Sequence, residues 1–192
     1  MENFQKRPLI LASKSPRRSQ LLEEAGFVFS VETFDTEEDW PEVLPLGEVA
    51  RFLAEKKARA AAHVLQNDAI VLAADTTVLL GDSILNKPVD HAEAFSMLRR
   101  LSGQMHRVVT GVCLLSRERE VSFSEESRVF FDEISDDEIE FYLKECRPFD
   151  KAGAYGVQEW IGHCKIRRIE GTYANVMGLP VNRVYAELAK FY

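Results

Sequence analysis

The sequence lacks a CxxC pair. Its three cysteines, Cys113, Cys146 and Cys164, are odd in number and widely spaced, which gives no zinc signature and favours a reducing compartment. It lacks an excess of positive charge. The formal net charge of −7 is opposite to the basic footprint of a duplex nucleic-acid binder, although a small cluster of cations could still hold a nucleotide. It lacks a signal peptide or membrane span, since Leu9–Ala12 is the only apolar run before Ser13; a cytoplasmic protein with no membrane partner is expected. It also lacks internal repeats, low-complexity segments and Pro/Gly/Ser-rich linkers. The 192 residues are therefore read as a single domain, 1–192, or as two close-packed lobes of one. A hydrophobic content of 46% is enough to bury a sizeable core.

What is present is organised around Leu9–Gly26 (LILASKSPRRSQLLEEAG). Leu9–Ala12 reads as a buried strand and Ser13–Ser15 as a turn. Ser15 can N-cap a helix that has Pro16 at its first position, where the missing N–H costs nothing. Leu21, Leu22 and Ala25 supply the inward stripe, and Gly26 the stop. Free backbone N–H groups, two hydroxyls and the cations Lys14, Arg17 and Arg18 thus gather at one helix N-terminus. Helix N-termini favour anions, so this reads as a phosphate grip. The alternative is an ordinary strand–helix turn with solvated arginines, Arg18 having no role beyond a solvated or structural cation.

Phe27–Phe34 reads as a second strand, followed by the acidic loop Asp35–Trp40 (DTEEDW). That loop is either solvated or turns one carboxylate to the phosphate grip as a metal ligand. Gly47–Gln66 reads as a helix on which Lys56 and Lys57 flank the apolar stripe on opposite sides; the helical wheel does not choose between them. Ala69–Ala74 reads as a buried central strand ending directly on Asp75. A carboxylate at the carboxyl end of such a strand is a common active-site position, while the plainer reading is a turn cap. Val78–Leu80 continue extended, Gly81–Asp82 suits a hairpin turn into Ile84–Leu85, and Lys87 is held extended by Pro88. Asp90–Leu101 has a capping-box start at Asp90 and Glu93. Val108–Leu115 and Val121–Phe131 read as neighbouring antiparallel strands, with His106 read as a satisfied histidine at a strand end in preference to a substrate-side residue. Ser135–Lys144 is a helix with the capping box Ser135…Glu138. Arg147–Gly162 has no clear periodicity but is aromatic, which favours function over disorder. Within it, Gln158 is a candidate base-reading amide, able to donate and accept. Lys165–Ile169 is a last strand, Gly171–Pro180 a turn-rich crossing, and Pro180 opens a terminal helix. The order predicts an α/β fold with a mixed, twisted sheet, helices on both faces and a cleft between two lobes.

Separated stretches of the chain together resemble the Maf family of nucleotide pyrophosphatases: LASKSPRR (11–18), EKKA (55–58), AADTTV (73–78), LNKPVD (85–90), LSGQMHRVVTGV (101–112), KAGAYGVQ (151–158) and GTYANVMGLP (171–180). The resemblance runs through nearly the whole chain and implies a fold similar to the inosine-triphosphate pyrophosphatases. It implies hydrolysis of a nucleoside triphosphate to monophosphate and diphosphate, with a divalent cation, Mg²⁺ or Mn²⁺, as cofactor and a homodimer as the assembly. Arg17, Thr76 and Gln158 resemble the specificity positions of the dTTP/UTP branch, whereas the branch acting on 7-methyl-GTP reads differently where AYGVQ stands. The resemblance puts Asp75 at the proton-acceptor position and Ser13, Arg17, Lys57 and Lys87 at substrate contacts, choosing Lys57 over Lys56. Glu38 matches an acid in the loop after the second strand, and a shift of one residue would put Glu37 there. Asp75 and Glu38 would be the metal ligands. The rival activities are the same hydrolysis on 7-methyl-GTP or modified pyrimidines. A rival of another class is a nucleotide-binding division or septum regulator without significant catalysis.

Overall fold

The computed structural model describes residues 7–65 and 68–191. Seven strands form one mixed sheet, in the order β2-β1-β3-β5-β6-β7 with β4 paired to β3. β1 (Leu9–Ala12) is buried at all four positions and runs parallel to both β2 (Ser30–Glu32) and β3 (Ile70–Leu80), the environment that its unbroken apolar run requires. β4 (Ser83–Leu85) returns antiparallel along Val78–Leu80 through Gly81, whose φ of 56° is left-handed. β5 (Met105–Leu115) and β6 (Glu120–Phe131) are neighbours, and β7 (Ile166–Glu170) pairs antiparallel with β6 over a bulge at Phe130/Phe131.

The helices are α1 (Pro16–Glu24), α2 (Val49–Ala60), α3 (His91–Leu101), α4 (Asp136–Cys146), α5 (Trp160–Lys165), α6 (Tyr173–Met177) and α7 (Val181–Leu188). α3 starts where Asp90 accepts from the Glu93 N–H at 2.8 Å. α4 carries the full capping box between Ser135 and Glu138. None of these helices is long and apolar enough to cross a membrane.

Four sequence-based expectations need correction. The second strand is only Ser30–Glu32, and Val28 and Val31 are exposed, while the buried Phe27 lies before it and Phe34 beyond it. The helix read as Gly47–Gln66 is regular only over Val49–Ala60, with 3₁₀ turns at Leu46–Glu48 and Ala62–Val64; its expected end at Gln66 lies outside the described residues. Two short helices, α5 and α6, occupy stretches read as irregular. Asp75 does not end a strand: β3 runs unbroken into the extended stretch expected at Val78–Leu80, because the β-branched Thr76 and Thr77 keep the backbone extended between them.

The chain forms two compact units. The first comprises the chain up to Asp75, Thr110–Glu125, and Gly178 onward. Ile10, Ala54, Ala58, Val71, Ala73 and Cys113 belong to its core. In it, a Cβ on Gly111 would lie 2.2 Å from Arg51 N and 2.3 Å from the carbonyl carbon of Ala50, so β5 and α2 meet backbone to backbone. The second unit comprises Thr76–Val109 and Glu126–Met177. Its core includes Leu98, Leu101, Phe131, Ile139, Tyr142 and Tyr155.

Candidate active site

The turn after β1 is built as its sequence suggests, with one change. Ser15 occupies the N-cap position of α1 but makes no side-chain cap. Instead Ser13 Oγ accepts from the Ser15 N–H at 3.2 Å and from Arg18 Nη1 at 3.2 Å. Arg18 Nε also donates to the carbonyl of Gly178 at 2.9 Å, which ties α1 to the start of the C-terminal segment. Burial of the Arg18 guanidinium pulls its pKa below the ordinary arginine value, an effect opposed by the Asp75 carboxylate and, more weakly, by Glu38. Arg18 is therefore not the solvated cation of the plainer sequence reading. A signal for it was present: Arg18, Leu21, Leu22 and Ala25 share one face at i, i+3, i+4 and i+7.

Asp75 lies in the middle of β3, 9% exposed. β1 pairs with β3 only from Leu9↔Ile70 to Leu11↔Leu72, so Asp75 lies past the carboxyl end of β1, where open α/β sheets place ligands. Lys57, near the end of α2, reaches Asp75 Oδ1 at 2.5 Å and Glu38 Oε1 at 2.7 Å. Its side chain is 18% exposed, against 46% for that of Glu38. Lys56 turns away to pair with Asp39. The fold thus brings Lys57, not Lys56, to Asp75, and the loop carboxylate that shares Lys57 is that of Glu38.

One ammonium between two carboxylates marks a point where oxygen ligands already converge on a cation. Such a pair suits a hard cation of the Mg²⁺ type, which commonly takes one or two carboxylates plus substrate phosphates. Among the described residues no group of three or more His, Cys, Asp or Glu forms a fuller cage.

Ser13, Arg17, Arg18, Glu38, Lys57 and Asp75 all belong to the first unit; Thr76, Lys87 and Gln158 belong to the second. Thr76 follows Asp75 on β3 and is half-buried; Lys87 is exposed in the extended stretch after β4. Gln158 is half-buried in the tight turn before α5, where the Glu159 N–H donates to the Gly156 carbonyl at 3.1 Å. Gln158 Oε1 is buried with no hydrogen-bond partner among the described residues.

The polar network around that turn has no signature in the residue spacing. The fully buried Tyr142 on α4 donates its hydroxyl to Glu159 Oε2 and accepts from the Gly156 N–H at 3.0 Å. Glu159 Oε1 pairs with Lys151 Nζ at 3.0 Å. Burial, with Glu159 alongside, pushes the Tyr142 hydroxyl well above the usual tyrosine range and keeps it a donor. His106, 1% exposed, meets the Tyr155 hydroxyl through Nε2 at 2.7 Å, but its Nδ1 has no partner among the described residues. It is thus only half satisfied, and burial lowers its pKa to about 3.

Comparison with known proteins places these features in context. The family described as Maf-like protein matches residues 8–191. A dTTP/UTP pyrophosphatase of Parabacteroides distasonis is 41% identical over 192 residues, covering all of both chains. One from Porphyromonas gingivalis is 45% identical over 194 residues, covering 100% of this chain and 98% of that protein. Among solved structures, the Ham1 protein of Staphylococcus aureus superposes with a TM-score of 0.53 at 16% identity, covering 97% of this chain and 100% of that one, a likeness of fold.

Proposed function

We propose, from the premise that this chain belongs to the Maf family, that it is a hydrolase cleaving dTTP and UTP between the α and β phosphates to give the nucleoside monophosphate and diphosphate. The observation that carries this reading is the Lys57 ammonium held between Asp75 and Glu38, next to a turn of hydroxyls and guanidinium groups. A low-exposure carboxylate paired to a flexible ammonium is suited to a substrate that brings its own anions. Arriving phosphates draw Lys57 towards themselves, and Asp75 is left to orient the attacking water and take its proton. Ser13, Arg17 and Lys87 hold the remaining phosphate oxygens, Arg17 through a bidentate fork and the lysines as point charges. Asp75 and Glu38 are the residues that would hold Mg²⁺ or Mn²⁺, which when bound offsets phosphate charge. Arg17, Thr76 and Gln158 are the base-selective groups in this reading.

The family resemblance also supports one functional domain spanning 1–192, a homodimer and a cytoplasmic location. Diphosphate release with Mg²⁺ from a panel of dTTP, UTP, CTP, GTP and 7-methyl-GTP tests the activity. Turnover highest on dTTP and UTP is expected. Preference for 7-methyl-GTP overturns the pyrimidine assignment, and no release from any nucleotide overturns hydrolysis in favour of a binding protein.

A further inference from the structure

We propose that Tyr142, Glu159 and Lys151 are positioning residues for the Gln158 amide, so that selectivity among nucleobases depends on a tyrosine hydroxyl buried on α4. This rests on the reading of Gln158 as the base-selective group. Gln158 Oε1 has no hydrogen-bond partner among the described residues, so no bond at that oxygen anchors the side chain. Its placement follows from the backbone turn Gly156–Glu159, and that turn is tied at both ends by one phenol. The Tyr142 hydroxyl accepts from the Gly156 N–H at 3.0 Å and donates to the Glu159 carboxylate. Lys151 closes the set from the other side of the segment, 3.0 Å from Glu159 and 2.7 Å from Asp150.

The fit leaves no slack. A Cβ on Gly156 would lie 2.8 Å from both Gln158 Nε2 and the Glu159 carboxyl carbon, so both side chains fold over a position that only hydrogen fills. At Ala154, two residues before Gly156, φ is 59°, a left-handed conformation that a side chain adopts only where its surroundings impose it. The partners are enclosed as well: Tyr142 is fully buried and the Lys151 side chain is 10% exposed. A group of hydrogen bonds this enclosed holds one geometry, and base reading needs one geometry of the amide.

The test is kcat/KM for dTTP, UTP and CTP in Tyr142→Phe, Glu159→Gln, Lys151→Arg and Gln158→Ala. Tyr142→Phe is expected to lower kcat/KM for dTTP and UTP about tenfold, mainly through KM, and for CTP less than twofold. Lys151→Arg, which keeps the ion pair, is expected to retain the wild-type dTTP:CTP ratio. If Tyr142→Phe does not fold, Glu159→Gln carries the same expectation at about threefold. The double variant Tyr142→Phe/Gln158→Ala is expected to be no less selective than Gln158→Ala, because both act through one amide. Equal loss on all three nucleotides in Tyr142→Phe and Glu159→Gln, with Gln158→Ala still collapsing the ratio, overturns the positioning role. An unchanged ratio in Gln158→Ala overturns the base-reading assignment itself, and the proposal with it.

Discussion

The Lys57 cluster of the first unit and the Tyr142 cluster of the second handle charge in different ways. In the first, Lys57 joins carboxylates from a loop and a strand, and one of them, Glu38, is nearly half exposed. The Glu38 contact is weak and readily exchanged for an incoming anion, and the more enclosed Asp75 contact is the one that a substrate's phosphates must replace. In the second, Tyr142, Lys151, Gly156 and Glu159 satisfy one another within a closed set. The first arrangement can give up its partners, as chemistry on a charged substrate demands. The second cannot, as befits a template.

That difference is tested most severely at Asp75. Asp75→Asn is expected to lower kcat ~10²–10⁴-fold, by the same factor for every nucleotide and with nucleotide affinity retained. Near-normal turnover removes Asp75 as the base, and a loss confined to dTTP and UTP means that the first unit also selects the base. Next comes Gly111→Ala, which forces a methyl group into the backbone of α2. A loss of ~1–3 kcal/mol in denaturant unfolding is expected, together with a lower kcat in the protein that remains folded. An unchanged unfolding midpoint shows that β5 and α2 part easily.

A further effect is read by pH. His106 is buried neutral with a pKa of about 3, below its ordinary 6.5. Between those values the unfolded chain binds the extra proton, so stability falls as pH drops from about 6.5 towards 3, by up to ~1.4 kcal/mol per pH unit from this group. His106→Gln is expected to flatten that part of the stability–pH curve; an unaltered slope places the acid sensitivity elsewhere. Smallest of all, Lys14→Ala removes an exposed pair with Asp35 and is expected to leave melting temperature and turnover unchanged. A fall in turnover adds Lys14 to the phosphate-holding set.

Much of the fold was legible locally. Ser15-Pro16 announced α1, Asp90/Glu93 and Ser135/Glu138 announced α3 and α4, and the unbroken apolar runs announced β1 and β3. The errors came where a local sign conflicted with packing. A carboxylate after AIVLAA looked like a strand end, yet three β-branched neighbours (Thr76, Thr77, Val78) carried β3 onward. α5 and α6 are too short to show a period. For the site, residue types were legible but partners were not. A helical wheel places Lys56 and Lys57 equally well, and only the fold sends one to Asp75 and the other to Asp39. The Tyr142 network joins residues up to 17 apart through a turn of no fixed pattern, so nothing in its spacing gave it away.

The contact at Gly111 has a mechanical consequence. Arg51 and Lys57 are six positions apart on one helix, about 9 Å along its axis. Where side chains separate a helix from a sheet, rotamers absorb small shifts; here no side chain intervenes. α2 is therefore clamped at its first turn, and its buried Ala54 and Ala58 seat the rest of the helix in the core. Any thickening at the clamp shifts the helix that carries Lys57, so the aim of a cation on a carboxylate depends on a residue that touches neither.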